Sequence, residues 1–266
     1  MEIFQRYQAR VLKEDDVSNL KGKTAVVTGA SKGIGASIAE HFGAAGASVV
    51  VNYATSKTGA DAVVERITSR GGKAIAVQGD VSKPADITKL FAETKKAYGK
   101  LDILVNNAGI YEFLPLEAIT PEHFHKQFDL NVLGLLLTTQ EAVKLIGADG
   151  GSIINVSSIV GPMPVPMASV YSATKAAVDA ITVSLAGELG PKKIRVNSIN
   201  PGMVETEGLH SVGFAESDFR KRTEATTPLG RIAQPQDIAT AAVFFASDDA
   251  GWVTGQTLLL TGGARQ

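Results

Sequence analysis

The chain has 266 residues, 44% of them hydrophobic and 20% charged, with a formal net charge of -1. That balance supports one sizeable core and offers no basic stripe, which argues against a nucleic-acid partner. Cysteine is absent, which excludes disulfides and thiolate metal sites and fits a reducing compartment.

The first ten residues, Met1 to Arg10, carry charges where a signal peptide needs an apolar core. No run approaches the roughly 18 apolar residues of a membrane span, so the expected location is the cytoplasm. Residues 1–20 are polar and mixed in charge (Lys13-Glu14-Asp15-Asp16) and read as a surface arm. Residues 21–266 read as one domain.

From Lys23 the pattern alternates strand and helix. Thr24–Thr28 is a short apolar strand, Gly33–Ala45 a helix, and Ala47–Asn52 a strand. A helix over Asp61–Arg70 stops at Gly71-Gly72, before a strand at Lys73–Gln78. Pro84–Tyr98 is a helix entered through proline and stopped by Gly99, and Leu101–Asn106 a strand. One long helix is expected from Pro121 to about Ile146. The strand Ser152–Val156, a helix carrying Tyr171 and Lys175 to Leu189, and strands at Ile194–Ile199 and Gln256–Leu260 complete the series. The fold class is α/β: a single doubly wound Rossmann-type domain, about seven parallel strands with helices on both faces. In such sheets ligands bind beyond the carboxyl ends of the strands, where the strand order reverses.

The turn Thr28-Gly29-Ala30-Ser31-Lys32-Gly33-Ile34-Gly35 joins the first strand to the first helix. Its glycines permit a tight turn, and the helix start presents free N–H groups to a pyrophosphate. An NAD site usually carries an acid about 20 residues on, bonded to the ribose. Here the second strand ends Asn52-Tyr53-Ala54, and no acid occurs between Glu40 and Asp61. Lys32 and Lys57 lie near instead. NADP(H) is therefore expected over NAD(H).

A second constellation lies further on. Ser158 follows an apolar strand, and Tyr171 and Lys175 stand four apart at the start of a helix, on one face. A hydroxyl, a phenol and an ammonium suit proton transfer to or from a substrate oxygen. The adjacent Ser157 and Ser158 point to opposite faces of the strand. The four histidines (His41, His123, His125, His210) have no metal-ligand spacing, and no metal is expected.

Thr28-Gly29-x-x-x-Gly33-x-Gly35, Asn106-Asn107-Ala108-Gly109, Asn131, Ser158, Tyr171-x-x-x-Lys175 and Asn200-Pro201-Gly202 together resemble the short-chain dehydrogenase/reductase family, in its order and rough spacing. The resemblance runs from about Lys21 to Gly263. It implies a catalytic set of Asn131, Ser158, Tyr171 and Lys175, the serine standing 13 residues before the tyrosine. It implies cofactor contacts from Gly29, Ser31, Lys32, Gly33, Ile34 and Gly35 to phosphate. Asp80 and Val81 would meet the adenine, and Asn107, Ala108 and Gly109 the adenosine ribose. Pro201, Gly202, Val204 and Thr206 would hold the carboxamide, and Tyr171 and Lys175 would meet the nicotinamide ribose. Lys175, with the oxidised nicotinamide, is expected to lower the Tyr171 pKa, and Asn131 to anchor a water that returns protons.

The substrate wall is expected from Ile110–Leu114, from Val160 to Met167 (with Val160, Met163 and Met167 beside Ser158 and Tyr171), and from the stretch after Glu205, a mobile lid in the family. The implied activity is an NADP(H)-dependent oxidoreductase moving hydride between nicotinamide and a ketone, aldehyde or secondary alcohol. A 3-oxoacyl-[acyl-carrier-protein] reductase is the alternative, with Lys192-Lys193 as the basic group for an acidic carrier. A non-catalytic dinucleotide sensor is a further one. The family also implies a homotetramer, through Leu133–Leu137, Ala176–Ala186 and Trp252–Gly263.

Overall fold

The computed structural model describes residues 18–211 and 217–264. Seven strands form one parallel sheet: β1 Thr24–Val27, β2 Ser48–Tyr53, β3 Lys73–Gln78, β4 Ile103–Asn106, β5 Gly151–Val156, β6 Ile194–Pro201 and β7 Thr257–Leu260. Their order across the sheet is β3-β2-β1-β4-β5-β6-β7. The order reverses between β1 and β4, which places the ligand crevice at the carboxyl ends of those two strands. The fold class is the one expected from the alternating pattern.

Helices cover both faces: α1 Gly33–Ala44, α2 Lys57–Thr68, α3 Pro84–Tyr98, α4 Pro121–Phe128, α5 Leu135–Leu145, α6 Ser169–Leu189, α7 Glu207–Ser211, α8 Asp218–Thr226 and α9 Pro235–Ala246. Strand alternation sends neighbouring residues to opposite cores. Val27, Val49 and Val51 join Ile38 and Phe42 of α1 and Ile238 and Phe245 of α9. Val26, Val50 and Leu104 join Ile87 and Leu90 of α3 and Leu189 of α6. Strands buried on both faces read as continuous apolar runs for this reason.

Leu20, placed in the arm by sequence, is fully buried in the first of these cores, and its N–H donates to Ala45 O at 2.9 Å. The fold thus takes in at least residues 18–20. The rest of the arm, and residues 212–216 of the lid stretch, lie outside the described residues.

Three elements differ from the expected pattern. The long helix is broken: Asp129–Gly134 is a π-turn between α4 and α5. At its end Gly134 presses on β3's loop, where an added Cβ would lie 2.5 Å from Val81 O. The second helix begins at Lys57 rather than Asp61, because Asp61 pairs with Lys57 one turn back, at 2.6 Å. Finally, α9 was not foreseen. Its signal is a capping box, in which Gln234 N donates to Asp237 Oδ2 at 2.7 Å, with proline at the first helical position.

A buried polar ladder crosses the middle of the sheet. Asn106 Nδ2 donates to Thr139 Oγ1 of α5 (3.0 Å) and to Asn155 Oδ1 of β5 (2.9 Å). Asn155 Nδ2 donates to Thr182 Oγ1 of α6 (2.8 Å). Asn106 and Asn155 are direct register partners, and all four residues are buried.

Candidate active site

The glycine turn is held by two asparagines. Asn52 Oδ1 accepts from Gly29 N (3.2 Å), while its Nδ2 donates to Val77 O (3.3 Å) and Gly79 O (2.9 Å). Asn107 Nδ2 donates to Thr28 O (2.9 Å) and Gly29 O (3.1 Å), and the Asn107 and Ala108 N–H groups both meet Thr28 Oγ1 (3.0 Å). Both side chains are therefore engaged in shaping the crevice. Gly29 has φ +60° and a Cβ there would meet Ala108 Cα at 2.9 Å, so the turn requires glycine.

The N-terminus of α1 opens onto this turn. Lys32 at its N-cap makes no side-chain cap, and the first turn holds no acid. Free N–H groups and the helix dipole then suit a pyrophosphate. Ile34 packs on the core as part of the same turn. Ser31 O lies against the start of α2, where a Cβ on Gly59 would come within 2.6 Å of it. That brings Ser31, Lys32, exposed Ala54 and Lys57 to one edge of the crevice, while Tyr53 is buried. The residues present fit a dinucleotide.

Asp80 closes its own turn, accepting from Ser82 N (3.0 Å) and Ser82 Oγ (2.7 Å), with Lys83 Nζ at 3.5 Å. Burial opposes its ionisation, but the bonds from Ser82 and the Lys83 charge outweigh it and hold the carboxyl below the usual range. Val81 is buried beneath the π-turn. Gly109 lies beside the catalytic candidates: a Cβ there would stand 3.1 Å from Asn131 Oδ1 and 3.8 Å from Lys175 Nζ.

Ser158, Tyr171 and Lys175 come together beyond β5. Ser158 is partly exposed and hydrogen-bonds the Tyr171 hydroxyl. Ser157 is buried, its Oγ donating to Lys175 O at 3.1 Å. Lys175 Nζ lies 5.8 Å from the Tyr171 ring centroid and donates to Val156 O at 2.9 Å. Burial pushes the Tyr171 phenol up to about 12, against the Ser158 bond, with Tyr111 adding to the rise. Burial likewise pushes the Lys175 ammonium down to about 8, with the Asp179 charge opposing. In the protein itself, burial thus outweighs the expected lowering of the phenol by Lys175.

Asn131 sits in the π-turn, a common feature of functional sites. Its Oδ1 accepts from Ile110 N (2.9 Å) and its Nδ2 donates to Ile110 O (2.8 Å) and Thr174 Oγ1 (3.2 Å). The amide thereby fixes the segment after β4 to α6.

That segment carries two aromatic rings to the tyrosine. Tyr111 and Phe113 lie 5.9 and 6.1 Å from the Tyr171 ring, and 6.0 Å from each other. Leu114 N donates to Met167 O at 2.8 Å, joining this wall to the proline-rich loop. Val160 and Met163 are partly buried there, and Met167 is exposed with φ +65°. Tyr111 Oη reaches α7, 2.9 Å from where a Cβ on Gly208 would lie. Opposite, Gly202 N donates to Leu260 O (3.0 Å) and Pro201 O accepts from Ile159 N (2.9 Å). Val204 is buried and bridges to Ala233, and Thr206 Oγ1 accepts from Leu209 N at 3.2 Å.

One expectation fails on position. Lys192 and Lys193 precede β6, at the sheet end away from Pro201; an eight-residue strand separates them from the site by about 23 Å. They cannot receive a carrier protein at the entrance. Lys57 stays exposed at the crevice edge, paired with Asp61 at 2.6 Å. Among the described residues, no cluster of His, Asp or Glu could hold a metal. Asp179 was missed. It stands four residues after Lys175, and that spacing was its signal.

This fold and site define a dinucleotide-binding oxidoreductase. A family profile described as enoyl-(acyl carrier protein) reductase matches residues 29–265. An uncharacterized oxidoreductase of Methylorubrum extorquens is 56% identical over 249 residues, spanning 94% of this chain and 100% of that one. A hydroxynaphthalene reductase-like protein of Metarhizium brunneum is 39% identical over 262 residues, spanning 94% and 98%. A short-chain dehydrogenase of Burkholderia cenocepacia, solved in complex with NADP, superposes with a TM-score of 0.86 at 33% identity, covering 92% of this chain and 98% of that one. The chain belongs to the short-chain dehydrogenase/reductase family, whose members bind a nicotinamide dinucleotide.

Proposed function

We propose that this protein uses NADPH to reduce the carbonyl of an apolar, aromatic ketone, or runs the reverse oxidation of the alcohol. The observation carrying the reading is the ring cluster: Tyr111 and Phe113 stand beside Tyr171, within 6.1 Å. Rings at that spacing favour a flat aromatic partner. The kinship with a hydroxynaphthalene reductase-like protein supports the same class. The placement of Lys192-Lys193 counts against the carrier-protein alternative.

The nicotinamide supplies or takes the hydride when bound. Tyr171 gives its proton to the developing alkoxide, and Ser158 holds the substrate oxygen against it. A phenol raised by burial is a reluctant acid, and the Lys175 ammonium beside it, together with the positive charge of the oxidised ring, brings the phenolate within reach. Lys175 also holds the ribose hydroxyls. The Asn131 amide, engaged with Ile110 and Thr174, holds the segment after β4 beside Lys175. Pro201, Gly202, Val204 and Thr206 receive the carboxamide. Ser31, Lys32 and Lys57 meet the 2'-phosphate, and the Burkholderia relative with NADP supports that preference.

The assembly is a homotetramer of cytoplasmic location. Exposed Leu133, Leu136 and Val183 on one face, and Trp252, Leu258 and Leu259 on another, support it. No helix among the described residues is long and apolar enough to cross a membrane.

The test is turnover of an aromatic and aliphatic ketone panel with NADPH and NADH in parallel. Tyr171→Phe is expected to lose roughly 10²–10⁴-fold in kcat with dinucleotide binding intact. Near-normal turnover by the folded variant sinks the assignment, and dinucleotide binding without any turnover favours a sensor.

A further inference from the structure

Tyr171, Lys175 and Asp179 recur every fourth residue along α6 and form one stripe. The first two belong to the relay, and the third is a partly buried carboxylate aimed at the loops that frame it. Asp179 Oδ2 accepts from Asn200 Nδ2 at 2.8 Å, and Ser198 Oγ lies 3.2 Å from Asp179 Oδ1 and 2.7 Å from Asn200 Oδ1. Asn200 Nδ2 also reaches Ser158 O at 3.3 Å. Asn200 directly precedes Pro201-Gly202. The loop from β5 closes over the carboxylate: a Cβ on Gly161 would lie 2.9 Å from Asp179 Oδ2 and 3.1 Å from Lys175 C.

We propose that Asp179 is a positioning residue for the proton relay, which through Asn200 fixes Ser158 and the Pro201-Gly202 turn together and supplies the counter-charge to Lys175. The inference rests on reading Tyr171 and Lys175 as that relay. The groups around Lys175 are Tyr171 and Asp179 on its own helix, the Val156 carbonyl from β5, Asn131 from the π-turn and Gly109, with Tyr111 beyond Tyr171. Of these, Asp179 is the carboxylate, and its charge opposes the loss of the Lys175 proton. Removing the charge leaves burial unopposed, so Lys175 deprotonates at lower pH.

Asp179→Asn keeps the shape and an acceptor for Asn200 but removes the charge. In cofactor-free protein labelled with [13Cε]lysine, the Lys175 resonance is assigned by its loss in Lys175→Arg. Its midpoint is expected near 8 in the unaltered chain and about one unit lower in Asp179→Asn. An unchanged midpoint overturns the proposal. This readout needs no substrate, so it stands even if the carbonyl panel shows no turnover. In the active enzyme the alkaline limb of the kcat profile moves down with it. Asn200→Ala keeps the charge and breaks the link: the limb stays, kcat falls and KM for the dinucleotide rises about tenfold, roughly 1.4 kcal/mol. Unaltered kcat and KM there overturn the positioning half. Should Asp179→Asn fail to fold, Asp179→Ser removes the charge in a smaller side chain and must lower the midpoint likewise.

Discussion

At the scale of single residues, burial drives the Tyr171 phenol and the Lys175 ammonium apart in pKa, the first up to about 12 and the second down to about 8. The Lys175 shift has a consequence for stability. An unfolded lysine keeps its proton to about 10.5, whereas Lys175 in the fold releases it near 8. Below 8 the penalty for burying the ammonium is full and constant. Between 8 and 10.5 the unfolded chain binds more protons, so this contribution to stability rises with pH. Lys175→Met is accordingly expected to stabilise the protein at pH 7 by on the order of 3 kcal/mol, from about 1.36 kcal/mol per unit. The gain fades by pH 10.5, and denaturant unfolding at pH 7 and pH 10 measures it. Tyr171 has the opposite sign: its stabilising preference for the proton is lost between 10 and about 12. At the crevice edge beside Ser31 and Lys32, exposed Ala54 is the position that tests the proposed 2'-phosphate preference. Ala54→Asp brings a carboxylate to a ribose and repels a phosphate, and is expected to weaken NADPH by about tenfold or more while improving NADH; the ratio of kcat/KM for the two cofactors reads it.

At the scale of elements, the π-turn joins the two halves of the candidate site, through Asn131 and through Gly134 against Val81. Gly134→Ala drives a methyl to 2.5 Å from Val81 O, a backbone atom that cannot swing aside. The expected loss is about 1–3 kcal/mol with weaker dinucleotide binding, checked by thermal unfolding and titration. The sequence predicted a plain long helix here because an apolar run at helical spacing does not distinguish i+4 from i+5 bonding. The strands were more legible: Lys73–Gln78 has the predicted limits, because a short apolar run, partly buried on this edge strand, is bounded by Gly72 and Gly79. α9 was legible in principle, through Gln234-Pro235-Gln236-Asp237 and the apolar period that follows, but its stretch carried no motif to draw attention. The site motifs could be read because they fall at strand ends. What the sequence hid were side-chain engagements. Nothing in the order of residues reveals that the Asn131 amide is bound to Ile110, or that Asn52 faces inward to Gly29 rather than outward to a ribose.

At the scale of the whole molecule, the sheet order fixes where the crevice lies, and the exposed apolar faces state what remains to be covered. Trp252 is fully exposed in the single chain, so its fluorescence is a reporter: a tetramer that buries it should emit to the blue, and Leu259→Glu should dissociate that interface in sedimentation experiments. Faster sedimentation than a monomer in the unaltered chain is the matching expectation. The ladder from Thr139 through Asn106 and Asn155 to Thr182 has a further consequence, for folding fidelity. A one-residue slip of β5 along β4 would set Ile154 or Val156 opposite Asn106 and strand two amides in a dry interior, at about 1–3 kcal/mol for each unpaired group. The same slip would turn Ser157 to the crevice and Ser158 away from it. The ladder therefore acts as a proofreader, rejecting the misaligned sheet in which the wrong serine would face the substrate.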